Sequence, residues 1–116
     1  MNPRGLTTES TGALGMLQFA NRAVIPGHVL VRHLDGESVL LNLDTEKYFG
    51  LDATGTRMLV LVTASPSIEA AYEKLLAEFE VEPGVLRGHI TDLLSRLVDN
   101  GLLEVLPADV GTIPAV

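Results

Sequence analysis

Three histidines, His28, His33 and His89, are the first candidates for metal binding or proton transfer. His28 and His33 stand five apart in a stretch with strand character, so their side chains leave opposite faces and form no ligand pair. No HExxH accompanies them, nor any carboxylate cluster at ligand spacing. The chain has no cysteine, which removes thiolate nucleophiles, disulfides and Cys-based zinc sites. Neither GxSxG nor SxxK occurs, so no known motif pairs a serine with an activating base. Gly5, Gly12 and Gly15 lack the spacing of a phosphate loop. An isolated histidine is usually a polar surface group, and a scattered glycine usually serves a turn. No catalytic residue, no metal and no cofactor is expected.

Cationic residues could instead read nucleic acid. Arg87, His89 and Arg96 share one helical pattern, but Glu82, Asp92 and Asp99 flank or share it. Its leading end, Glu82-Pro83-Gly84-Val85-Leu86, lacks the Arg, Lys, Asn and Gln that a recognition helix presents there. The whole chain carries 15 acidic against 8 basic residues, net -7, so phosphate binding has no basic footprint. A winged-helix DNA-binding regulator stays as the alternative reading. A small acidic carrier is weaker still, because no serine sits in a convincing attachment motif.

These side chains must be positioned by one modest domain. The 116 residues suffice for a single core, and 47% hydrophobic content argues against overall disorder. Residues 1–23 are rich in Gly, Ser, Thr and Asn without a sustained period, and read as a flexible arm. They lack the charged start and continuous apolar stretch of a signal peptide. No apolar run is long enough to span a bilayer, so a cytoplasmic protein with no membrane partner is expected. The domain is expected over residues 24–106, and residues 107–116 read as a loose tail.

Residues 28–34, 39–43 and 47–51 have strand character, joined by Asp35-Gly36 and by Asp44-Thr45-Glu46. That makes an antiparallel meander, which needs a helical layer on one face. Asp52 or Thr54 can cap a first helix whose body is residues 57–62. After Ala64-Ser65-Pro66, Ser67 opens a second, with Ile68, Ala71, Tyr72, Leu75, Leu76 and Phe79 on one face. Pro83 opens a third, striped by Leu86, Ile90, Leu93, Leu94, Leu97 and Val98 and stopped by Asn100-Gly101. Leu102 to Val105 packs back as a short closing segment. The expected fold is α+β: a three-stranded antiparallel sheet followed by three helices, winged helix-turn-helix-like.

The third strand is the best candidate site. A meander leaves it at one edge, a template for another chain to pair with. Lys47, Phe49 and Leu51 share a face, with Phe49 and Leu51 expected in the core and Tyr48 outward; Gly50 completes the strand. Across from it, Val85, His89, Asp92 and Arg96 form a strip on the third helix, with Leu93 beside them. Strip and strand would line a groove for an extended peptide. The plainer account leaves Tyr48 as an ordinary cross-strand residue and the strip solvated.

The run VLLNLDTEKYFGLDATGTRMLVLV resembles the signature of the PqqD-like family, and LVDNGLLEV resembles its end. The likeness covers residues 29–105. The family pattern has Asn where Asp52 stands and often an aromatic where Val60 stands. The resemblance implies a RiPP recognition element: a winged-helix-like, non-catalytic domain that binds the leader segment of a ribosomally made precursor as an added strand. The stand-alone form is similar to the leader-binding component of lasso peptide biosynthesis. There the partners are a transglutaminase-like leader peptidase, a cysteine protease, and an ATP-dependent macrolactam synthetase. The equivalent chaperone of pyrroloquinoline quinone biosynthesis, with a radical enzyme as partner, is the other home. The YFGLD form and the long arm favour the lasso pathway.

Overall fold

The computed structural model describes residues 17–107. Within them the elements run β1 (Arg22–Val24), β2 (Val29–Leu34), β3 (Glu37–Asn42), β4 (Lys47–Leu51), α1 (Ala53–Ala64), α2 (Ile68–Phe79), α3 (Pro83–Asp99) and β5 (Glu104–Leu106). Strands β2, β3 and β4 form one antiparallel sheet in that order, and β1 pairs with β5 in a second, two-stranded one. The expected α+β architecture, three antiparallel strands and then three helices, is what the chain adopts.

Turn chemistry sets the register. Asp35 and Gly36 both have positive φ, 52° and 85°, the left-handed pair that a two-residue hairpin needs. Leu34 therefore faces Glu37, and Val29 faces Asn42. At the next turn the Asn42 side-chain oxygen accepts from the N–H groups of Asp44 and Thr45, at 2.9 and 3.2 Å. That folds the chain back so that Asn42 pairs with Lys47 and Ser38 with Leu51.

The helices start and stop on local signals. Asp52 caps α1, accepting from Gly55 N–H at 2.9 Å, and Ser67 caps α2, accepting from Ala70 N–H at 3.1 Å. Pro83 occupies the first turn of α3. At its far end Gly101 has φ +70°; Leu102 N–H donates to Leu97 and Gly101 N–H to Val98, the paired bonds of a Schellman stop. Between the sheet and the helices lies the core. Leu40, Val62, Ile68, Leu75, Ile90, Leu94 and Leu97 are fully buried there. One buried polar pair crosses it: the hydroxyls of Ser38 and Thr56 lie 2.7 Å apart.

Packing against the core begins upstream of residue 24. Leu17 and Phe19 pack against the core and Ala23 is buried within it. The carbonyls of Phe19 and Asn21 accept from the first N–H groups of α2, at 2.7 and 2.8 Å. Those N–H groups have no partner inside the helix, so the segment completes its start. The rest of the expected arm, residues 1–16, and residues 108–116 of the expected tail lie outside the described residues.

Candidate functional site

Strand β4 is the end strand of the three-stranded sheet. In an antiparallel ladder, alternate residues turn their N–H and C=O groups toward each neighbour. Leu34 and Glu37 close the two-residue hairpin as a bonded pair, so Val39 and Leu41 bond β2 while Ser38, Leu40 and Asn42 bond β4. On β4 their partners are Leu51, Phe49 and Lys47. Tyr48 and Gly50 are left with backbone groups directed away from the sheet. Among the described residues no strand pairs with this edge, which therefore offers two N–H donors and two C=O acceptors.

Side chains alternate in step with this. Leu51 is buried and Phe49 half-buried against the helices, while Tyr48 is 74% exposed on the opposite face. These are the orientations expected from the sequence. Lys47, at the start of the strand, is exposed.

Beside the edge, a groove of about 410 Å³ separates β4 from α3. Its strand wall is Phe49, Gly50 and Leu51, and its helix wall is His89, Leu93 and Arg96. The Arg96 guanidinium reaches across, 5.7 Å from the centre of the Phe49 ring. Arg96 also pairs with Asp92 at 3.3 Å, an exposed i,i+4 contact that contributes little by itself. Six of the ten expected residues thus meet at this groove.

The other four stand elsewhere. Val85 is exposed on α3 one turn before His89, beyond the groove's end. Asp92 lines a depression on the outward face of α3, with Gly88 and Ser95. Tyr48 borders an apolar hollow on the outer face of the sheet, with Leu30 and Leu41, and Lys47 does not line the groove. The sequence reading also missed the groove's end wall: Asp52, Thr54, Gly55 and Met58. Their signal was the absence of any loop between Leu51 and the cap at Asp52, which starts α1 inside the groove.

The surroundings of α3 do not favour phosphate binding. Arg87 is held by Glu69 at 3.1 Å and packs over both Phe19 and Tyr72, at 4.2 and 4.4 Å from the ring centres. Desolvation opposes its charge, yet the bonds it donates to Glu69 and the neighbouring Tyr72 hold the guanidinium pKa above its ordinary value. With Arg96 on Asp92, both arginines of α3 are engaged by carboxylates. Among the described residues no group of His, Asp and Glu is placed to hold a metal ion. Nor is any helix among them long and apolar enough to cross a membrane.

The family of coenzyme PQQ synthesis protein D (PqqD) matches residues 37–103, from the start of β3 to the segment after α3. The chain belongs to the PqqD family. Its fold is similar to that of TbiB1, solved in complex with the TbiA(beta) leader peptide, with 36% identity and a TM-score of 0.63 over 70% of this chain and 94% of that one. It is also similar to a lasso peptide synthetase B1 complexed with the leader peptide. There the TM-score is again 0.63, over 72% of this chain and 98% of that one, and at 24% identity the likeness speaks for the fold. No curated protein matches the chain. The PqqD match spans β4, α1 and α3, the three elements that bound the groove.

Proposed function

We propose that this PqqD-family chain is a non-catalytic adaptor that captures the leader segment of a ribosomally synthesised precursor peptide. The leader adds as a fourth strand along β4, bonding the free backbone groups of Tyr48 and Gly50. Its alternate side chains enter the groove between Phe49, Leu93 and Arg96. The observation that carries this reading is the open edge of β4 beside a preformed groove. The 36% identity to TbiB1, a protein solved with a leader peptide, supports it. TbiB1 is solved with a leader peptide, and the YFGLD form at the end of β4 favours lasso maturation over quinone cofactor synthesis. The partners would then be a transglutaminase-like leader peptidase and an ATP-dependent macrolactam synthetase. The adaptor would serve them by holding the substrate in place, a proximity effect.

Amide hydrogen exchange with and without the precursor's leader tests this. Tyr48 and Gly50 should gain protection, while Phe49 and Leu51, already bonded to β3, change little. Protection confined to α3, with none gained on β4, would sink strand addition. Cleavage of a precursor by the purified chain alone, abolished by a point mutation in it, would overturn the non-catalytic reading.

A further inference from the structure

The outer face of the sheet is laid out in rows. Leu30, Leu41 and Tyr48 lie across the first, and Arg32, Val39 and Gly50 across the second. Leu34 and Glu37 form the third, and Asp52 follows just past the end of β4. Gly50 leaves the second row without its last side chain. The backbone does not require glycine there, because positive φ among the described glycines occurs only at Gly36 and Gly101. Nor does crowding, since a Cβ at Gly50 would meet nothing within 4 Å. Glycine inside a strand weakens it, and it often marks the close approach of a ligand or another backbone.

The missing side chain opens a depression of about 320 Å³. Leu34 and Val39 give it an apolar floor, and Glu37 and Asp52 stand at its rim. Asp52 accepts one bond, from Gly55 N–H. Neither carboxylate is in an ion pair among the described residues.

We propose that Gly50 opens an outer-face subsite for one cationic side chain of the bound leader, a lysine or an arginine. The proposal rests on strand addition at β4. In that geometry the residue opposite Gly50 is a bonded partner, and its side chain leaves on the outer face. Its stem covers Val39 where Gly50 contributes nothing, and its charged head stays in water beside Glu37 and Asp52. Arg32 closes the far end of the same row, two strands and roughly 10 Å from Gly50. Glu37 is one strand away on the diagonal, and Asp52 is next on the same face, so the nearer charges are negative. The leader residues on either side point inward to the groove and are apolar.

Phage display of random 15-residue peptides against the full chain tests the proposal without a known precursor. The expected motif has Lys or Arg at one position with apolar residues immediately before and after it. Changing that residue to Glu in the best peptide should weaken binding about tenfold. In the double variant Glu37→Gln/Asp52→Asn the cationic preference should vanish while the apolar flanks persist; Asn keeps the helix cap. Gly50→Val, which has room to fold, should likewise lose the preference for a long side chain at that position. Selected peptides with no cationic preference, or a preference unchanged in both variants, would overturn the subsite and leave strand addition standing. If no peptide is enriched that protects β4 from exchange, strand addition itself fails, and the subsite with it.

Discussion

The side-chain nitrogen of Asn42 fills the space that a Cβ on Gly101 would need, at 2.9 Å. The same nitrogen donates to the Asn100 carbonyl at 3.2 Å, and His28 Nε2 lies 3.0 Å from the Gly101 carbonyl. The turn before β4 is thereby tied to the end of α3, so that two of the three elements bounding the groove are held together. Gly101→Ala meets both this contact and a φ of +70°, and should destabilise the fold by about 1–3 kcal/mol. Asn42→Ala removes the contact but also the two turn bonds. The double variant should therefore cost less than the sum of the singles, read from urea unfolding midpoints. Strict additivity would mean that the two residues act independently.

Ser38 and Thr56 give a second stability test. Both are buried, and the Thr56 hydroxyl also lies 3.4 Å from the Leu51 carbonyl. Ser38→Ala leaves the threonine hydroxyl with only its long bond to the Leu51 carbonyl and should cost about 1 kcal/mol. Ser38→Ala combined with Thr56→Val removes both polar groups and should cost no more than the single change. Thermal unfolding of Ser38→Ala, Thr56→Val and the double variant checks this; a double variant markedly worse than either single would contradict it.

How much of this was legible follows from periodicity. The stripes of α2 and α3 and the alternation of β4 set the core and sent Tyr48 outward, because long or strongly alternating segments carry their pattern in sequence. The same periodicity places Phe49, His89, Leu93 and Arg96 on the two walls of the groove. The pairing of β1 with β5 was not legible, since three residues are too few to show a period. Phe19 and Asn21 capping α2 from upstream, and Asn42 gripping the end of α3, join residues far apart in sequence, where spacing says nothing. Val85 was expected to line the groove, with Asp92 close by, from the helix face alone, but which turns of α3 border it also depends on where β4 ends.

The free backbone groups of β4 make a sharp prediction. Tyr48→Pro deletes an N–H that faces away from β3, so the ladder to β3 should survive. Leader affinity should fall about tenfold or more while the fold remains by circular dichroism. Tyr48→Ala controls for the lost ring and should weaken binding less. Phe49→Pro, which deletes a bond inside the sheet, should unfold the domain. Equal binding by Tyr48→Pro and wild type would mean that the leader does not bond this edge.

The helix wall carries the last prediction. Leu93 is half-buried and faces the groove, so Leu93→Ala should reduce leader affinity and cost some stability as well. Arg96→Glu separates the two effects, because its side chain is 58% exposed and its partner Asp92 is more exposed still. It should lower the unfolding midpoint only slightly, through the like-charge pair with Asp92 and the acidic group in the last turn of α3, while losing the Phe49 contact and placing a negative charge at the groove's mouth. Asp92→Asn, on the outward face of α3, should bind nearly as well as wild type. Binding dominated by an apolar groove and strand pairing should also change little between low and moderate salt. Phosphate-dominated binding of DNA would lose orders of magnitude over the same range. Calorimetry on these variants at two salt concentrations reads both. A steep salt dependence, or full leader affinity in Arg96→Glu and Leu93→Ala alike, would put the binding surface on another face of the domain.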